Sequence, residues 1–203
     1  DGLTLDTDIE LTLVWELDPN APITYSVSTT ANPAEGGSVT GGGNYAAGQT
    51  VTLTAAANNG YYFINWTENG TQVSTDATIS FTAAGNRDLV ANFTKNTYTV
   101  TYNPGANGTG TETFDTKTEG ETLTLKGAIF TRTGYKQTGW ATTDGGAKAY
   151  DLNSSYIDDA ALELYPVWEA ETYTVIWQNW DGTELQSSEV AYGETPVYTG
   201  ETP

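Results

Sequence analysis

The sequence predicts a mainly β protein assembled as an array of small tandem modules, and three observations predict it. Short runs alternate polar and apolar residues at the period of a strand: Tyr25-Ser-Val27, Tyr98-Thr-Val100-Thr-Tyr102 and Tyr173-Thr-Val175-Ile-Trp177. A longer outline occurs twice, as GQTVTLTAAANNGYYFINW from Gly48 to Trp66 and as GETLTLKGAIFTRTGYKQTGW from Gly120 to Trp140. Its end is the core signature of each module, with Gly60, Tyr61 and Trp66 matching Gly134, Tyr135 and Trp140 in spacing. A third opening stands at Gly193-Glu194-Thr195, and repetition at this period reads as an array of domains. Finally, the intervening segments are rich in glycine and asparagine, as tight turns between strands require.

The 203 residues therefore divide into units of about seventy, each burying only about 60% of the surface its unfolded chain exposes. Without cysteine no disulfide can staple such a unit, and the 6 Trp, 13 Tyr and 5 Phe must do so by packing. Seven basic against 26 acidic residues leave a formal charge of −19, which repels phosphate backbones and anionic lipid alike. Nucleic acid partners and membrane insertion are accordingly not expected. No apolar run approaches the ~20 residues that span a bilayer. Asp1-Gly-Leu-Thr-Leu has neither the basic end nor the apolar stretch of a signal peptide, so the chain reads as part of something longer.

In chain order, residues 1–17 end in Leu11-Thr-Leu13-Val-Trp15, whose alternation returns as Leu89-Val-Ala91-Asn-Phe93 and Leu164-Tyr-Pro166-Val-Trp168. They read as the C-terminal fragment of a preceding repeat, followed by a proline-bearing linker at 18–22. The first full module is expected over 23–95. Ser38-Val-Thr40 is a short strand between glycines, Asn58-Asn59-Gly60 and Asn69-Gly70 are hairpin turns, and Thr78 to Phe81 is a further strand. The second module is expected over 96–170, with Asn103 to Gly110 as a hairpin loop, Thr111 to Thr116 returning and Thr122 to Leu125 next. Leu152 to Ala160 is expected to hold a short helical turn capped by Asn153 or Ser154. Pro166 lacks an N–H and so places the closing strand at an edge or a bulge. Residues 171–203 read as the N-terminal fragment of a further repeat, and a strand pair this small needs a neighbour to pack on.

Tyr98-Thr-Val-Thr-Tyr, Gly120-Glu-Thr-Leu, Gly134-Tyr-x4-Trp140 and Leu164-Tyr-Pro-Val-Trp168 closely resemble the Listeria-Bacteroides repeat, the internalin-type B repeat. Residues 25 to 95 resemble a related bacterial repeat, with Phe93 where tryptophan is usual. The resemblance implies β-grasp-like (ubiquitin-like) modules in an extended array. It also implies an extracellular setting, in secreted or wall-anchored bacterial proteins that act as stalks, spacers or adhesins, and a family without catalytic residues. The expected partners are a host or bacterial surface protein or glycan, or a head-to-tail contact between the terminal partial repeats of two copies. The alternatives are a carbohydrate-binding region of a secreted enzyme, or a self-associating surface-layer component.

The residues themselves point away from catalysis. Nucleophilic triads and most zinc sites need His or Cys, and the chain has none. Asp158-Asp159 and Glu119/Glu121 read as solvated loop charges, Asp6, Asp8 and Asp144-Gly-Gly146 as turn residues, and Lys95, Lys117, Lys126, Lys136 and Lys148 as surface lysines outside any Lys-Asn crosslink. No metal and no cofactor is expected. Trp15, Trp66, Trp140 and Trp168 recur at fixed module positions and read as core. Trp180 stands apart, within Gln178-Asn-Trp-Asp181. The favoured reading packs it against Tyr173 or Tyr192; the alternative exposes it as a platform for a sugar ring, with Gln178 and Asp181 beside it.

Overall fold

The computed structural model describes residues 21–200. Readings that fall on 1–17, on the first three linker residues and on 201–203 lie outside the described residues. Two compact units divide between Thr94 and Lys95. The described residues are mainly strand, with a single 3-10 turn at Ala34–Gly36 and no α-helix among them.

The first unit holds β1 (Thr24–Asn32), β2 (Gly37–Thr40), β3 (Gly43–Ala46), β4 (Thr50–Ala57), β5 (Tyr61–Glu68), β6 (Thr71–Ser74), β7 (Thr78–Thr82) and β8 (Arg87–Lys95). One sheet runs β3-β1-β8-β5-β6, the other β2-β4-β7. At the centre of the larger sheet the opening strand β1 lies parallel to the closing strand β8, from Val27 beside Arg87 to Asn32 beside Asn92. Alternation decides the faces. Val51, Leu53 and Ala55 of β4 meet Val27, Trp66, Leu89, Ala91 and Phe93 of the larger sheet in one core, while Thr50, Thr52 and Thr54 face solvent. Gly36 and Gly37 let the backbone close over Phe93: a Cβ on Gly37 would stand 2.4 Å from the ring. Across the outer face of the larger sheet, Asn32 donates to Asn92, Asn92 to Asn65 and Asn65 to Gln72, at 3.1, 2.8 and 2.8 Å, a carboxamide chain over four strands.

Asn69-Gly70 forms the expected hairpin turn between β5 and β6, both residues having positive φ. Asn58-Asn59-Gly60 does not. It carries the chain from β4 in one sheet to β5 in the other, so the turn connects layers instead of paired strands. Both turns demand the same left-handed backbone, and only the tertiary pairing distinguishes them.

The second unit contains β9 (Thr97–Tyr102), β10 (Thr113–Thr118), β11 (Leu123–Thr124), β12 (Tyr135–Ala141), β13 (Ser155–Tyr156) and β14 (Leu162–Ala170), followed by β15 (Thr172–Gln178) and β16 (Glu184–Ala191). Its main sheet runs β10-β9-β14-β12, again with the opening strand parallel to the closing one. The core comprises Val100, Tyr102, Leu125, Phe130, Trp140, Tyr156 and Leu164.

One expectation fails here. The segment from Leu152 to Ala160 has no helical turn; Asn153 takes a positive φ and Ser155–Tyr156 pairs with β11, because burying Tyr156 in the core outweighs the local capping signal. Of the two placements expected for Pro166, the bulge is the one found, since β14 lies between β9 and β12 and its pairing with β12 is irregular. The proline is tolerated because pairing with β9 covers only Leu162 to Leu164, and because the β12 register shifts between Gln137 and Gly139.

Candidate functional site

Among the exposed large hydrophobic side chains of the described residues, Trp180 is the barest, and it stands at the tip of the β15–β16 hairpin. β15 and β16 pair from Thr172 beside Ala191 to Gln178 beside Glu184, with a register shift after Trp177. The base of the hairpin is anchored within its unit: the Tyr192 ring stacks edge-on against Tyr135 at 5.8 Å, and the Glu171 N–H donates to the Gly134 carbonyl at 2.9 Å. Gly134 is needed there, because it has φ of 73° and a Cβ would lie 2.1 Å from the Tyr192 ring.

At the tip the Gly182 N–H donates to the Asn179 carbonyl at 3.0 Å, and the Asn179 N–H to the Thr183 carbonyl at 2.8 Å. The Asn179 side chain accepts from the Trp180 N–H at 2.9 Å, and the Asp181 carboxylate from the Thr183 N–H at 3.0 Å. This hydrogen bond from Thr183 holds the Asp181 carboxyl below the usual carboxylate range. The turn is thus pinned by its own side chains, and Trp180 sits on it 93% exposed.

The favoured reading of Trp180 is overturned. Tyr192 packs on Tyr135, the Tyr173 hydroxyl donates to Glu171 at 2.7 Å, and the indole of Trp180 covers neither ring. Gln178, Trp180 and Asp181 share the hairpin end, which offers a bare aromatic face beside carboxamide and carboxylate oxygens.

The signature residues lie elsewhere. Trp66 and Trp140 are fully buried, Gly60 is buried at a φ of 81°, and Tyr61, Gly134, Tyr135 and Trp168 are half-buried. Trp140 packs against Tyr102 and Phe130, with ring centroids 5.0 and 5.9 Å away, and its Nε1 donates to the Lys126 carbonyl at 2.8 Å. Burial pushes the Tyr102 phenol up to about 12.

Lys117 is the functional group that the sequence did not expose. Its side chain is 0% exposed, and its Nζ lies 2.5 Å from Asp159 Oδ1 and 2.8 Å from the Thr118 carbonyl. The reading of Lys117 as a surface lysine therefore fails, whereas Asp159 is an exposed loop carboxylate that reaches in to pair with it. On β10, Lys117 shares the inward row with Thr113 and Asp115, while Phe114 points out at 58% exposure. That inverted alternation was the available signal. Asp144 accepts the Ala106 N–H at 2.8 Å and so ties down the loop that begins at Asn103.

A family model of the divergent InlB B-repeat domain matches residues 27–97, and one of the Listeria-Bacteroides repeat domain matches residues 98–167. The chain carries these two bacterial repeats in tandem. No curated protein matches it. The change from one match to the other falls at the start of β9, and Trp66 and Trp140 occupy equivalent places in the InlB-type and Listeria-Bacteroides repeats. Such repeats are typical of bacterial surface proteins, and their families are generally non-enzymatic. The Lys117–Asp159 pair belongs to the Listeria-Bacteroides repeat, whereas the Trp180 tip lies beyond both matched ranges.

Proposed function

We propose that this segment is a non-enzymatic stalk or adhesion array of a bacterial cell-surface protein, built of β-grasp-like modules and working outside the cell. The observation that carries this reading is the junction: the closing strand of the InlB-type repeat ends at Lys95 and the opening strand of the next begins at Thr97, which leaves Asn96 alone between them. One residue is too short to act as a flexible tether, which supports reading the modules as a stalk. The β-grasp-like reading is supported by the recurring order in which the opening strand lies between an antiparallel neighbour and a parallel closing strand. Small-angle scattering tests the array. Its radius of gyration is expected well above the about 17 Å of a single compact domain of this length. A value near that figure would count against a stalk.

A second reading has one specific observation in its favour, the exposed indole of Trp180 on a pinned turn with Asp181 and Gln178 alongside. In this reading the hairpin tip stacks against a sugar ring, and the acidic and amide side chains accept its hydroxyl hydrogens. A glycan array run with the full chain and with Trp180→Ala tests it. The variant is expected to lose at least about tenfold in affinity, the value of one stacking contact, with unchanged unfolding curves. Equal binding by both proteins, or binding by neither, refutes this reading.

A further inference from the structure

Acidic side chains outnumber basic ones by 26 to 7, and every basic residue lies among the described residues. Six of the seven are matched: Arg87, Lys95, Lys117, Lys126, Lys136 and Lys148 each stand within ion-pair distance of an Asp or Glu. Arg132 is the exception. No carboxylate among the described residues pairs with it, and its guanidinium donates no hydrogen bond to them.

Its head group is nonetheless held in place. Arg132 and Tyr135 close a tight turn, the Tyr135 N–H donating to the Arg132 carbonyl at 3.0 Å, with Gly134 between them at a φ of 73°. The guanidinium carbon sits 3.8 Å from the centre of the Tyr135 ring, which Tyr192 braces edge-on. Stacking occupies the flat face of a guanidinium and leaves its edge, where the N–H groups point, open to a partner.

Arg132 lines a cavity of about 230 Å³ together with Gly145, Gly146, Pro166, Val167 and Trp168. Its lining comes from the turn before β12, the turn after it, and β14, whose pairing with β12 is irregular here. Pro166 is buried, and Trp168 is half-buried with its ring packed on the core. Gly145 has a φ of 70°, and a Cβ there would meet nothing within 4 Å. Neither its N–H nor its carbonyl is bonded among the described residues. The walls thus combine one fixed cation, an indole and a proline, and bare backbone groups.

Each property narrows the ligand. An open guanidinium edge matches a carboxylate through two parallel hydrogen bonds. A formal charge of −19 makes every further negative charge on a ligand costlier, so a monoanion is favoured over phosphate or a polyanion. The cavity equals roughly eight liquid waters in volume, enough for one six-membered sugar ring, and an indole face suits the C–H face of such a ring.

We propose that this cavity binds an acidic sugar of the uronic-acid type, its carboxylate on Arg132, its ring against Trp168 and Pro166, and a hydroxyl on the Gly145 backbone. The site is independent of the stalk reading and of Trp180, since no residue of the hairpin tip lines the cavity.

Two-dimensional NMR of the isotope-labelled 203-residue chain tests it, by titration with methyl glucuronide, methyl glucoside, acetate and inorganic phosphate. Methyl glucuronide is expected to shift the Arg132 side-chain N–H, the Gly145 and Gly146 amides and the Trp168 indole N–H together. Saturation is expected at about millimolar concentration, with affinity falling as salt is raised. The neutral glucoside, and the glucuronide with Arg132→Gln, are each expected to bind at least about tenfold more weakly, because each lacks the charge-assisted pair of hydrogen bonds. Arg132→Lys, which keeps the charge without the fork, is expected to fall between wild type and Arg132→Gln. Lys136→Gln removes an exposed cation already paired with Glu169 and is expected to leave binding unchanged. The absence of a saturable shift, equal binding of glucuronide and glucoside, or binding that survives Arg132→Gln would overturn the proposal. So would acetate or phosphate binding as tightly as the glucuronide, or shifts confined to Trp180 and its neighbours, which would set the sugar on the hairpin tip instead.

Discussion

Trp140→Ala is expected to unfold the Listeria-Bacteroides repeat while leaving the InlB-type repeat folded. The side chain is 0% exposed, packs against Tyr102 and Phe130, and satisfies the Lys126 carbonyl. Truncation removes one of the largest fully buried side chains, leaves a cavity and leaves that carbonyl with only the longer 3.4 Å bond from the Asn153 N–H. The combined cost is about 3–5 kcal/mol, against about 5–15 kcal/mol for a whole domain. Because the compact units divide between Thr94 and Lys95, the loss stays in one of them. In a denaturant titration the first module, followed through Trp66, is expected to keep its midpoint while the second loses most or all of its transition. Trp168→Ala, at a half-buried position, is expected to cost less. Two modules melting together in Trp140→Ala would contradict the separation of cores.

The second large effect is expected at Asp159. Removing its carboxylate in Asp159→Ala strands the Lys117 ammonium, which is fully buried and whose nearest anionic partner is 2.5 Å away. A buried charge without a partner is far more costly than a broken surface pair. The variant should therefore lose much more stability than removal of Glu169 or Asp151, whose pairs with Lys136 and Lys148 are solvent-exposed. Lys117→Met combined with Asp159→Ala is expected to recover most of the loss, because an apolar chain of similar length needs no counterion. A double variant as unstable as Asp159→Ala would show that the pair acts through something other than charge.

The pair also sets a pH dependence. The Lys117 hydrogen bond first, and the Gly120 N–H next, hold the Asp159 carboxyl below its ordinary range. A carboxyl depressed in the folded state stabilises the fold above its unfolded value, about 4, and that contribution is lost as pH falls through the lower folded value. Thermal melts are expected to show an acid loss in the wild type that is reduced in the double variant.

Much of the fold was legible because it depends on local rules. The alternation of Val51, Leu53 and Ala55 with threonines marks a strand with one buried face, and Asn69-Gly70 marks a hairpin. The equal spacing of Gly60, Tyr61 and Trp66 with Gly134, Tyr135 and Trp140 marks two copies of one module. Other positions were not legible because competing contacts decided them. Asn153 carries a capping signal, yet pairing and burial at Tyr156 extend the chain. Pro166 reads as an edge or bulge residue, and only the pairing decides between the two: a short parallel ladder and a bulge admit it to the sheet interior.

At the hairpin tip the sequence singled out Gln178, Trp180 and Asp181 as neighbours, since they lie within one turn. It could not say whether Trp180 would find a cover, because that depends on where Tyr173 and Tyr192 go. By itself the sequence determined the repeat, its strands and its lack of His and Cys chemistry, all properties of composition and short-range period. Only the tertiary structure decided that Lys117 is buried against Asp159 and that Trp180 is bare. Each of these depends on which strand lies beside which, and that pairing is settled by long-range burial.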